Sequence, residues 1–137
     1  MGGLGGMIVL DTHVWLWWLH NPAHLSAPAK ERIVYEEEVH GIKISAISAW
    51  EVAVKVHIGK LILPMELDSW YAAAQSYPGM SIEPLYPLDA IESTRLPGTF
   101  HKDPADRIIV ALARRYGVPL MTCDQKILDY AHVQTIW

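Results

Sequence analysis

Two apolar runs in this chain, Met7-Ile-Val-Leu10 and Pro119-Leu-Met-Thr122, are continuous rather than alternating, and each leads within two residues to an aspartate, Asp11 or Asp124. A short unbroken apolar run fits a strand buried on both faces, the kind found in parallel sheets covered by helices. The segments between them carry helix starts and stops. Ser26 with Pro28 opens a helix that runs to about Val39 and ends before Gly41, and the Glu36-Glu37-Glu38 run reads as its solvated face. Ile42-Lys-Ile44 is a short strand leading through Ser45 into a helix with Trp50, Val54 and Ile58 on one stripe.

Farther along, the pattern predicts a helix from Thr12 to His20, one from Glu66 to Gln75, a strand from Met80 to Leu85 and a short helix after Pro87. Asp103-Pro104 opens the clearest helix, with Ile108, Ala111 and Leu112 on its apolar stripe and Gly117 at its end. A helix over Asp124 to Ala131 and a strand over Val133 to Ile136 close the chain. Strands alternating with helices in this way predict an α/β sandwich around a mainly parallel sheet.

If the strands are parallel, their carboxyl ends form one edge, and that edge is where open α/β sheets bind ligands. Four carboxylates fall at strand-to-helix junctions or early in helices: Asp11, Glu51, Asp106 and Asp124. Gathered together they would repel one another unless a cation neutralised them, so a functional cluster implies a divalent metal with hard oxygen ligands. The chemistry this suggests is metal-dependent cleavage of a phosphodiester.

Each acid also has a local explanation. Asp11 and Asp124 suit helix N-caps. Ser48-Ala-Trp-Glu51 matches a capping box, although a helix that starts at Ser45 would place Glu51 nearly two turns in, beyond the reach of capping. Asp103 and Asp106 share the face of a first helical turn, one as cap and the other complementing the helix dipole, and either role is compatible with ligating a metal. Thr12 and Thr122, beside Asp11 and Asp124, could support the ligands or contact substrate. Lys55, Lys102, Arg107 and Lys126 lie near the acids and could hold phosphates; Lys55 and Arg107 are the stronger candidates, with structural ion pairs as the competing role. His13, His57 and His101 read as surface histidines that could also reach substrate. Of the three tryptophans Trp15, Trp17 and Trp18, at least one should reach the surface or an interface.

Length and charge bound the rest. The 137 residues suffice for one domain, and residues 7–137 are read as that domain after a flexible extension or expression remnant over residues 1–6. A single cysteine, Cys123, excludes an intramolecular disulfide and fits a cytoplasmic location. No apolar run approaches the ~20 residues of a membrane span. A net charge of -4 is unusual for a nucleic-acid binder, but setting aside the five candidate metal acids, Asp103 included, leaves +1.

Four segments in order, Ile8-Val-Leu-Asp-Thr-His-Val-Trp15, Ile44-Ser-Ala-Ile-Ser-Ala-Trp-Glu-Val-Ala-Val-Lys55, His101-Lys-Asp-Pro-Ala-Asp-Arg-Ile-Ile-Val-Ala-Leu-Ala113 and Leu120-Met-Thr-Cys-Asp124, resemble PIN-domain ribonucleases, specifically the VapC-type toxins of bacterial toxin–antitoxin pairs. The resemblance covers Met7 to Trp137. It implies a PIN-like three-layer sandwich and an acidic quartet of Asp11, Glu51, Asp106 and Asp124, with Asp103 accessory. It implies one or two Mg²⁺ or Mn²⁺ ions, RNA as substrate, a homodimer and an inhibiting antitoxin. Ala105 departs from the subgroup, which often carries an aromatic there.

The alternative is a PIN-like RNA- or protein-binding module without activity. A phosphotransfer reading with Asp11 as nucleophile lacks its partner: haloacid-dehalogenase phosphatases need a second Asp where this chain has His13.

Overall fold

The computed structural model describes residues 7–137; the expected extension over residues 1–6 lies outside them. The elements are β1 (Ile8–Leu10), α1 (Thr12–His20), a short 3-10 turn (Pro22–His24), α2 (Ala27–Val39), β2 (Ile42–Ser45), α3 (Ala46–His57) and α4 (Leu67–Gln75). They continue with β3 (Met80–Glu83), α5 (Pro87–Ser93), α6 (Pro104–Tyr116), β4 (Leu120–Met121), α7 (Gln125–Leu128) and β5 (Thr135–Ile136).

The five strands form one sheet in the order β3-β2-β1-β4-β5, and every pairing is parallel. The chain builds outward from β1 to β3, then returns to the other side of β1 to lay down β4 and β5. The order therefore reverses between β1 and β4, which is the switch point where such sheets open a crevice at their carboxyl ends.

Alternation along the strands divides the core into two layers. Ile8, Leu10, Ile42 and Ile44 face one side, against Val14 and Trp15 of α1, Ile33 of α2 and Trp70 of α4. Val9 and Leu120 face the other, against Ile109, Val110 and Leu112 of α6. All of these side chains are buried, so the central strands have no solvent face, as the continuous apolar runs require.

Local chemistry sets the element ends. Pro84 lacks an N–H, and β3 stops at Glu83 rather than Leu85. Gly117 takes the left-handed conformation, φ 67°, that closes α6. Gly79 allows β3 to pass against the end of α2, because a Cβ there would fall 2.2 Å from the Glu37 carbonyl oxygen. The last helix and strand are shorter than the pattern predicts, covering Gln125–Leu128 and Thr135–Ile136.

Two expectations need correction. Glu36 is fully buried rather than solvated: its carboxylate accepts from Arg32 Nε at 2.6 Å and pairs with His40 Nδ1 at 2.7 Å. Along α3 the buried residues are Ser48 and Val52, while Trp50 and Ile58 of the expected stripe are more than half exposed. The helix packs through the face that carries Ser48 because that serine bonds into α1. Of the three tryptophans, Trp15 is enclosed edge-on to Trp70, whereas Trp17 stays partly exposed beside the rings of His24 and Trp137.

Candidate active site

Asp11 follows β1 and caps α1, accepting from the Val14 N–H at 2.9 Å. Its other oxygen accepts from the Thr122 hydroxyl, which follows β4, and the same Thr122 oxygen accepts from the Asp124 N–H at 3.0 Å. One buried threonine thus ties together the two strand ends at the switch point. Asp124 in turn caps α7 by accepting from the Lys126 N–H at 2.9 Å.

The cap of α3 is Ser45, which accepts from the Ile47 N–H at 3.1 Å. Glu51 is therefore in the second turn and free of capping. Its carboxylate accepts instead from Thr12 Oγ1 at 2.5 Å, and Ser48 Oγ pairs with the same threonine at 2.8 Å. Asp103 caps α6, accepting from the Asp106 N–H at 3.0 Å, so the two acids share the first turn of that helix.

Asp11, Glu51, Asp103, Asp106 and Asp124 line one pocket of about 360 Å³, together with Thr12, His13, Lys55, His101 and Lys126. Four separate segments meet there, and the electrostatics record the convergence. Burial, then the negative charges of Asp103, Glu51, Asp124 and Asp11, push the Asp106 carboxyl up to about 7. Burial also pushes Asp11 above the ordinary carboxylate range, with Asp124 adding to the rise, against the bonds from Thr122 and the Val14 N–H and the charge of His13.

This donor set fits a divalent cation in chemistry and place: carboxylate oxygens from four segments around an open pocket. The acids ring the pocket rather than touching, and among the described residues no three His, Cys, Asp or Glu side chains stand as a ready-made cage.

The remaining candidates divide. Lys55 reaches the pocket, with Nζ 3.4 Å from His13 Nε2. Thr12 and Thr122 are both buried; Thr12 lines the pocket and donates to Glu51, and Thr122 lies behind it and donates to Asp11. Arg107 does not join the pocket: its guanidinium donates to the carbonyls of Ser93 at 2.7 Å, Phe100 at 3.0 Å and His101 at 3.1 Å. A side chain so committed holds the loop before α6 rather than a phosphate. His57 stays exposed at the end of α3; His13, also exposed, and His101, partly buried, line the pocket. His101 Nε2 lies 3.0 Å from Asp106 Oδ2 but out of line for a hydrogen bond, leaving that nitrogen without one. For both the signal was nearness in sequence to the acids, His13 two residues after Asp11 and His101 two before Asp103.

Comparison with known proteins identifies the family. Residues 8–133 match the family model for the PIN domain. The chain is 30% identical over 132 residues to ribonuclease VapC22 of Mycobacterium tuberculosis, covering 95% of this chain and 98% of that one. Its fold is similar to that of VapBC2 from Rickettsia felis, solved bound to a DNA fragment from their promoter (TM-score 0.69, 14% identity, 95% and 97% covered). A toxin–antitoxin complex from Klebsiella pneumoniae is also similar (TM-score 0.61, 16% identity, 95% and 96% covered). The chain belongs to the PIN-domain family, and within it to the VapC type.

Proposed function

We propose that the chain is a divalent-metal-dependent endoribonuclease that hydrolyses RNA phosphodiester bonds as the toxin of a toxin–antitoxin pair. The observation that carries this reading is the pocket itself, which five carboxylates from four segments line, with the Asp106 carboxyl pushed up by burial and then by the charges of the other four. The relative named ribonuclease VapC22 supports RNA as the substrate, and the fold's likeness to a toxin–antitoxin complex supports an inhibiting antitoxin partner. A homodimer, a cytoplasmic location and action of residues 7–137 as one domain belong to the same reading.

Asp11, Glu51, Asp106 and Asp124 would hold one or two Mg²⁺ or Mn²⁺ ions, with Asp103 accessory. Such ions, when bound, stabilise charge developing on a phosphate and make water a better nucleophile at neutral pH. The chain's own contribution is preorganisation. Thr122 orients Asp11, and Thr12 orients Glu51, so that both carboxylates keep their facing oxygens in place. Lys55 and Lys126, at the pocket wall, offset the charge of an approaching RNA strand. In the reaction, water oxygen bonds to phosphorus, the bond from phosphorus to the leaving oxygen breaks, and that oxygen takes up a proton.

The test is incubation of the purified protein with total cellular RNA and Mn²⁺ or Mg²⁺, beside an excess of chelator and beside Asp11→Asn. Discrete fragments in the metal-loaded wild type alone are expected. Cleavage that persists in folded Asp11→Asn or in chelator would contradict the reading. A folded wild type that binds RNA and metal but never cleaves would favour the non-catalytic module.

A further inference from the structure

A second and larger cavity, of about 630 Å³, adjoins the acidic pocket and shares its wall through His13 and Lys55. Trp17 of α1 lines one side, and the segment that follows α3 lines the other, where Ile62 is 91% exposed. The turn after α3 places a second cation there: Gly59 takes a positive φ of 78°, and the Lys60 N–H bonds back to the Lys55 carbonyl at 2.8 Å. Lys55 and Lys60 thus line one groove, and no acid stands among its described lining residues, although the whole chain carries a net charge of -4.

His20 adds directional chemistry. Indole N–H groups only donate, so the 2.7 Å bond from Trp70 Nε1 to His20 Nε2 leaves His20 with its proton on Nδ1. His20 also lines the groove, held in place by that bond. An apolar wall that includes the edge of an aromatic cluster, together with two cations, suits a ligand with an aromatic face and a negative charge.

We propose that this groove seats a nucleotide of single-stranded RNA next to the scissile phosphate, with its base against Trp17 and Ile62 and its phosphate between Lys55 and Lys60. The proposal rests on the ribonuclease reading above. An antitoxin segment is the other macromolecule an apolar groove can accept. The cationic lining and the wall shared with the acidic pocket favour the strand that is cut.

The experiment compares Lys60→Glu combined with Ile62→Glu against the parent chain; both positions are exposed, and thermal melting checks the fold. Binding is read on an Asp11→Asn background with Mn²⁺ present, by fluorescence anisotropy of labelled random-sequence single-stranded RNA of about 12 nucleotides. Cleavage is read on the otherwise wild-type chain. The expected result is binding weaker by roughly tenfold or more, with a shallower salt dependence, and a raised KM for RNA. The milder pair Lys60→Gln with Ile62→Ser should move the same readouts less, which guards against a folding defect.

Unchanged RNA affinity and cleavage in the double variant would overturn the groove assignment while leaving the ribonuclease reading intact. A folded parent that neither binds nor cleaves RNA would overturn both. Oligoglutamate of matched charge competing as well as RNA would show a groove that reads charge alone, as a protein's acidic segment would, and would overturn the nucleotide assignment.

Discussion

Thr122 and Asp11 lie 111 residues apart in sequence, yet the threonine hydroxyl donates directly to the aspartate carboxylate across the β4–β1 boundary. The same hydroxyl oxygen accepts from the Asp124 N–H at 3.0 Å, so one side chain sets the positions of two acids. Thr122→Val keeps the shape and removes both bonds. Mn²⁺ affinity is expected to fall by roughly 10- to 100-fold, the usual effect of losing a group that orients a ligand. Calorimetric titration of the folded variant checks this, and unchanged affinity would mean that the hydroxyl serves only the strand ends.

Asp106 gives the metal-free protein a pH signature. Its carboxyl is raised from 3.8 to about 7, by burial first and then by Asp103, Glu51, Asp124 and Asp11. Between those values the folded chain keeps a proton that the unfolded chain has lost, so metal-free stability falls as pH rises through this window. Asp106→Asn is expected to flatten that slope and raise the melting temperature at pH 8. Melting curves from pH 4 to pH 8 in chelator test this. In the wild type, Mn²⁺ binding at pH 6 should release more protons than at pH 8, measurable by calorimetry in buffers of different ionisation enthalpy.

Arg107 holds the carbonyl of Ser93 at the end of α5, at 2.7 Å, and those of Phe100 and His101 before α6, at 3.0 and 3.1 Å. Arg107→Gln is expected to cost about 2 kcal/mol in denaturant unfolding, because carbonyls bonded to a charged donor lose it together. Activity should fall through displacement of His101 and Asp103, with the salt dependence of RNA binding unchanged. A shallower salt slope would instead assign Arg107 to a phosphate.

Glu36 is buried between Arg32 and His40, far in sequence from the acidic pocket. Glu36→Ala removes the buried carboxylate that Arg32 Nε and His40 Nδ1 share, and is expected to cost about 3 kcal/mol of stability. Mn²⁺ affinity of the folded fraction should stay at the wild-type value. Equilibrium unfolding and calorimetry on the same sample separate the two effects.

These cases show where sequence was informative. The parallel sheet was legible because Ile8–Leu10 and Leu120–Met121 are apolar without alternation, and only strands covered on both faces tolerate that. Asp11, Asp103, Asp106 and Asp124 stood out because they sit where a strand or turn hands over to a helix, Glu51 lies one turn farther along α3, and strand order then gathers them at one edge. What stayed hidden depends on contacts between distant segments. Arg107 looked like a phosphate ligand because nothing local reveals three carbonyls waiting for it. Trp50 and Ile58 formed an apolar stripe on paper, but the bond between Thr12 and Ser48 turns the opposite side of α3 inward. For Glu36 the signal existed, since Arg32 and His40 flank it at helical spacing of four. The acidic run around it concealed the trio.

The central claim is that the converging carboxylates form a divalent-cation site on which catalysis depends. Its most direct test is calorimetric titration of Mn²⁺ into the metal-free wild type and Asp11→Asn at pH 8, after circular dichroism has shown both to be folded. Saturable binding by the wild type, with loss or sharp weakening in Asp11→Asn, is the expected result. A folded wild type that takes up no Mn²⁺, or an Asp11→Asn variant that binds as tightly, would contradict the account.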